Sequence, residues 1–137
     1  MDLASLKRHM PSIEDGRWVT SEEIRELRDV RVKVRGASSQ AARDMFAAKE
    51  RAIEPRERDA QGRIKPAAMQ RILTETLVEW NLVEIEGLTL GGKKLATADV
   101  AKLLPLPEYQ PVADLVMQAV AMVDATREAQ AESLSGN

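Results

Sequence analysis

Two hydrophobic periods run along this chain. Over residues 69–80, Met69, Ile72, Leu73, Thr76, Leu77 and Trp80 fall at i, i+3, i+4, i+7 spacing, with Arg71, Glu75 and Glu79 on the opposite face. That is one stripe of an amphipathic helix. Pro66 opens it, because a proline in the first helical turn gives up no hydrogen bond. A second helix is expected from a Ser38 or Ser39 cap to about Ile53, with Ala42, Met45, Phe46 and Ile53 on one face. Thr97 is expected to cap a short helix over 98–104, with Asp99 near its positive end and Pro105 and Pro107 stopping it. Pro111 starts a last helix whose stripe is Val112, Leu115, Val116, Ala119, Val120 and Val123. The stripe thins after Asp124.

The other period is two. Val30, Val32 and Val34 alternate with Arg31, Lys33 and Arg35, the pattern of a half-buried strand. The β-prone run Arg17-Trp18-Val19-Thr20 can pair with it as a hairpin. Between them, Thr20-Ser21-Glu22-Glu23 resembles a capping box, and Ile24, Leu27 and Arg28 have helical spacing, so a helical turn or a wide loop fits equally. Leu88-Thr89-Leu90 and Lys94-Leu95 read as a small hairpin around Gly91-Gly92, where glycines supply the positive φ angles of a tight turn. Residues 81–85 receive no element. Residues 54–65 are charged and broken by Pro55 and Gly62. They read as a surface loop and the favoured internal site of mobility and proteolysis. The fold class expected is α+β and mainly helical, with a small N-terminal β-hairpin and about four helices. Residues 1–16 read as a loosely ordered arm, 17–123 as a single globular domain, and 124–137 as an exposed helical end and tail.

Composition narrows the picture. A chain of 137 residues has room for one core. Its 44% hydrophobic and 31% charged residues fit a folded soluble protein. Only 3% are aromatic, so Leu, Val, Ile, Met and Ala must build the core. The net charge of -2 gives no general pull toward nucleic acid or anionic membranes. There is no cysteine, hence no disulfide, thiol nucleophile or zinc–thiolate site. No run approaches the ~20 apolar residues of a membrane span, and residues 1–10 lack the apolar stretch of a signal peptide.

Candidate chemistry is sparse. His9, the one histidine, has no carboxylates at ligand spacing. Ser38-Ser39 suits capping better than nucleophilic attack, since no base lies near in sequence. Glu75 and Glu79, one helical turn apart, could share a metal but suit a solvated face better. Gly91-Gly92-Lys93 lacks the spacing of a phosphate loop and the helix that should follow. Trp80 closes an apolar stripe and is expected in the core with Leu73 and Leu77. Trp18 could be core or surface. The basic face of Arg31, Lys33 and Arg35 could bind phosphates or an acidic partner. Alternatively, it guards the outer face of an edge strand against pairing. No catalytic, cofactor or metal site is expected.

The order of these pieces resembles the tail assembly chaperones of long-tailed bacteriophages and prophages. The resemblance spans roughly residues 16 to 123. It is carried by Gly16-Arg17-Trp18-Val19, the strand ending Val32-Lys33-Val34-Arg35-Gly36, and the small-residue start Ser38-Ser39-Gln40-Ala41-Ala42-Arg43. Leu73-Thr-Glu-Thr-Leu77-Val-Glu-Trp80, Glu86-Gly87-Leu88, Gly92-Lys93-Lys94-Leu95, the short helix and the helix after Pro111 complete it. Residues 21–29 and 81–85 are longer connections than the family pattern has. The resemblance implies a non-enzymatic protein without cofactor, in the host cytoplasm and absent from the mature virion. Its client would be the tape measure protein, a long helical chain kept soluble until tail tube protein polymerises around it. Homo-oligomerisation is left open, and no membrane is involved. On this reading the exposed helical end supplies the contacts, through Asp124, Arg127, Glu128 and Leu134. The rival reading is a small nucleic-acid-binding or regulatory module using Arg31, Lys33 and Arg35.

Overall fold

Three short antiparallel strands organise the molecule: β1 (Arg17–Val19), β2 (Arg31–Val34) and β3 (Leu82–Glu86), with β2 in the centre. The computed structural model describes the backbone of residues 15–135 and the side chains of residues 15–125. The β1–β2 hairpin is the expected one, and a single 3-10 turn (Arg25–Leu27) fills its connection. β3 is a correction, because it forms where no element was expected. It turns the hairpin into a sheet, and it makes β2 a central strand rather than an edge. Val19, Val32, Val34, Leu82 and Ile85 point inward and are buried. Trp18, Arg31, Lys33, Glu84 and Glu86 occupy paired positions on the outer face. Lys33 lies opposite Glu84 and Val34 opposite Leu82, so Val83 is the extra residue of a β-bulge. Beyond β3, Gly87 has φ 99°, and a Cβ there would come within 2.6 Å of the Asp29 carbonyl oxygen, so only glycine fits.

The helices are α1 (Gln40–Arg51), α2 (Pro66–Thr76), α3 (Thr97–Leu103) and α4 (Gln110–Ser135). Ser39 caps α1, its hydroxyl accepting the Ala42 N–H at 3.1 Å. Pro66 stands in the first turn of α2 as expected. The small hairpin β4 (Thr89–Leu90) and β5 (Lys93–Lys94) turns at Gly91 and Gly92, with φ 59° and 81°. Thr97 is not the cap of α3: Ala96 holds that position, and Asp99 accepts its N–H at 3.1 Å. The Thr97 hydroxyl instead accepts the Ile85 N–H at 3.1 Å and donates to the Ile85 carbonyl at 3.4 Å. It thereby occupies the outer edge of β3.

The long helical stripe also needs correction. After Thr76 the backbone widens into a π turn (Leu77–Asn81), closed by the Leu82 N–H on the Leu77 carbonyl. A wider turn shifts every later side chain around the axis. Leu77 and Asn81 are therefore buried, whereas Trp80, expected in the core, is half-buried. The buried face of α2 itself is Ala68, Ile72 and Thr76, one residue earlier than the stripe's centre. Leu73 is left half-buried at its flank.

Two hydrophobic clusters result. The larger joins the inner sheet face and Leu77 to Val100 of α3, to Leu104 just after that helix, and to Ala113, Val116, Ala119, Val120 and Val123 of α4. The smaller is Ile53, Ala68 and Ile72, flanked by Phe46, Ile64 and Met69. The charged stretch before α2 is tied down. It holds a 3-10 turn (Pro55–Glu57) and an Arg58–Ile64 bridge, and Asp59 accepts the N–H groups of Gln61 and Arg63, both at 2.9 Å. Arg71 pairs with Glu57 from α2.

Leu77→Ala should cost about 2–5 kcal/mol, the range for truncating a buried leucine. Leu73→Ala should cost roughly half as much or less, because less area leaves water there. Urea denaturation of the two variants checks this, and equal losses would overturn the rotated register. A second expectation concerns acid. The Arg71 guanidinium holds the Glu57 carboxyl below its ordinary value of 4.5. A depressed carboxylate pKa stabilises the fold above the unfolded value, and that stability is lost as pH falls through the folded one. Arg71→Ala should therefore flatten the decline of Tm below pH 4.5. Parallel Tm profiles for the variant and the original chain would contradict it.

Candidate functional site

Where α1, α2 and α4 diverge, they leave an apolar groove. Helical spacing on α1 brings Ala42 and Phe46 to one wall, Leu73 and Thr76 of α2 form the second, and Met117 and Val120 of α4 the third. The cavity there measures about 450 Å³. It continues past Leu73 and Met117 into a second cavity of about 390 Å³, toward Gln70, Ala113 and Asp114. Met117 is 39% exposed, a high value for a residue so large and apolar. The groove separates the two hydrophobic clusters, with Phe46 belonging to the smaller and Val120 to the larger.

Of the polar groups in its walls, Thr76, Asn81 and Arg43 are engaged, while the Glu50 carboxylate stands on the rim. The Thr76 hydroxyl donates to the Ile72 carbonyl at 2.7 Å, and the Asn81 amide donates to the Arg35 carbonyl at 3.2 Å. Arg43, on the rim, donates to the Gln40 side chain at 3.3 Å. The lining is mostly hydrocarbon, and an occupant gains mainly by covering apolar area. Its dimensions fall in the range of known binding clefts.

Asp124 was expected on an exposed helical end in contact with a partner. It is half-buried and structural: its carboxylate accepts the Ala37 N–H at 3.0 Å, the Ser38 N–H at 3.2 Å and the Ser38 hydroxyl at 2.7 Å. It thus ties α4 to the segment entering α1, just outside the groove. The side chains of Arg127, Glu128 and Leu134 lie outside the described residues, as do His9 and most of the N-terminal arm. Nothing local in the sequence signals the Asp124 contact, since its partners are 86 and 87 residues away.

The basic strand does not form a free cationic face. Arg31 stacks on Trp18 at 3.8 Å and pairs with Glu86 at 3.1 Å. Lys33 lies between Trp18 and Glu84 in the ladder, and Arg35 stacks on Trp80 at 4.5 Å. The acidic residues of β3 compensate the basic ones of β2. Sequence reasoning missed this because it missed the strand that carries Glu84 and Glu86. Glu75 and Glu79 hold the Lys49 ammonium at 3.2 and 2.7 Å. Those bonds, Glu79 foremost, raise the Lys49 pKa above its ordinary 10.5, so a lysine occupies the place a shared metal would need. Among the described residues no three His, Cys, Asp or Glu side chains cluster at metal-holding distance. Ser38 and Ser39 are spent on Asp124 and on the α1 cap. Gly91-Gly92-Lys93 is a hairpin turn followed by a strand. No described helix is long and apolar enough to cross a membrane.

No family model, curated protein or solved structure matches this chain.

The groove makes a direct prediction. Met117→Glu should reduce binding of the apolar dye anilinonaphthalene sulfonate at least threefold. Because Met117 is already partly exposed, it should change stability by only about 0.5 kcal/mol. Fluorescence titration and urea denaturation measure the two effects. Undiminished dye binding would place the apolar surface elsewhere.

Proposed function

We propose that this protein is a tail assembly chaperone that shields the tape measure protein during phage tail morphogenesis. The observation that carries the reading is the groove between α1, α2 and α4, lined mainly by hydrocarbon and with its Thr76 and Asn81 side chains already hydrogen-bonded. A long amphipathic client exposes apolar stripes that aggregate. A groove between helices covers such a stripe by accepting side chains at helical spacing. Apolar cover without hydrogen bonds is also easily surrendered, as a chaperone must do when tube subunits arrive. Resemblance to the family from Gly16 onward supports the same reading, including the absence of catalysis and the cytoplasmic setting. The rival nucleic-acid reading draws no support from Arg31 and Lys33, which face Glu86 and Glu84.

Co-expression with the very long, helix-rich reading frame beside a major tail protein tests the proposal. The client should move from the insoluble to the soluble fraction and co-purify with this protein. Met117→Glu together with Phe46→Ser should return most of it to the pellet, while Arg31→Ala with Lys33→Ala should leave the complex intact. Truncation after Ala125 keeps the Asp124 contact and asks separately whether the helical end contributes. A client that stays insoluble beside the unmodified protein sinks the chaperone reading. Loss of the complex in the Arg31/Lys33 variant would move the contact surface to the sheet.

A further inference from the structure

The α1–α2 hairpin is an insertion between two adjacent strands. It leaves the sheet after Val34 and returns at Leu82. At its foot the Arg35 N–H donates to the Asn81 carbonyl at 2.7 Å, and the Asn81 amide donates back to the Arg35 carbonyl at 3.2 Å. Farther out, its side chains pack on one another in the smaller cluster rather than into the main core. Its polar tie from Lys49 to Glu75 and Glu79 stays within the hairpin and its π-turn foot. The groove is therefore the space between a nearly self-contained lobe and the body. Asp124 of α4 holds that lobe, through Ala37 and Ser38, where the chain enters α1. Ala37 on one side of this contact and Val120 on the other both line the groove.

We infer that the α1–α2 hairpin rocks about its foot to widen the groove, and that the Asp124 carboxylate is the latch that holds it closed. A carboxylate accepting three donors is a strong tie, because its hydrogen bonds are charge-assisted. It is also a local one, since all three donors come from two consecutive residues. Asp124, Ala37 and Ser38 belong to neither hydrophobic cluster, so removing the tie deletes no side chain of either. A π turn at the foot supplies the second part of the device. Its hydrogen bonds are wider than those of an α-helix, and such turns are frequent at functional sites. Entry of a helical client would exchange the latch for apolar cover, so the latch sets how readily the groove opens. This regulatory role rests on the groove being the docking surface proposed above, but the motion is measurable without any client.

The chain has no cysteine, so a pair of introduced ones reports alone. Spin labels on Arg43→Cys in α1 and Gln118→Cys in α4, both exposed positions, give the distance across the groove by pulsed electron resonance. With Asp124 in place one narrow population is expected. With Asp124→Ala a second, longer population should appear and account for at least a third of the molecules. Dye binding in the same variant without labels should rise at least threefold. Labels on Glu84→Cys and Gln118→Cys, which span sheet and α4, should keep one distance throughout. Ser38→Ala, which removes one of the three bonds, should give an intermediate share and guards against outright unfolding of the Asp124 variant. A cross-groove distance unchanged in both variants overturns the latch. So does a shift of the sheet–α4 pair by the same amount, which would make Asp124 a tie of the whole fold. Failure of client co-expression would leave these distances untouched, and fixed distances would leave the co-expression result untouched.

Discussion

Pairing of β2 with β3 is the constraint on which the rest depends. It brings residues 31–34 against residues 82–86 and completes an inner face of Val19, Val32, Val34, Leu82 and Ile85. On that face α4 lays Val116, Ala119 and Val123, each almost wholly buried. Alanines at positions 113 and 119 let the helix approach the sheet closely. Each fully buried valine contributes about 1.5–3 kcal/mol relative to exposure. Those valines carry the main core, because this chain has few aromatic residues to bury. The Thr97 hydroxyl, bonded to Ile85, fastens α3 to the outer edge of the same strand and removes part of an edge that could pair with another chain.

The pairing also explains the hairpin between the two strands. Closing a long loop costs only slightly more than closing a short one. An inserted pair of helices is therefore tolerated once its ends are fixed at Arg35 and Asn81. Such an insertion must bury its own apolar surface, and the smaller cluster around Ile53, Ala68 and Ile72 does so. What it leaves uncovered faces α4, and this mismatch is the groove. Its apolar floor is a consequence of topology: the two hydrophobic clusters lie on either side of it.

Charge joins elements at several places in this molecule. Arg31 with Glu86, Lys49 with Glu75 and Glu79, and Arg71 with Glu57 each join neighbouring elements. Pairs this exposed stabilise little individually, but they fix which element lies beside which. The apolar surface of the groove lies at Phe46, Leu73 and Met117.

Local pattern in the sequence determined the helices and the first hairpin. Proline at the start of α2, Ser39 before α1 and Gly91-Gly92 in the β4–β5 turn act over one or two turns of chain, so each is legible without knowing the fold. The mainly helical α+β class followed from the same local rules. Three things were decided only by tertiary structure. Strand β3 is the first, because Leu82-Val-Glu-Ile-Glu86 becomes a strand by pairing with β2, about fifty residues earlier in the chain. The π turn altered which residues after α2 are buried, turning Asn81 inward to Arg35 and leaving Trp80 half-buried. Asp124 became a structural acceptor because the fold brings the start of α1 to it, 86 residues away along the chain. Periodicity reports which face of an element is apolar; it does not report which other element that face will meet, and the groove exists only between elements.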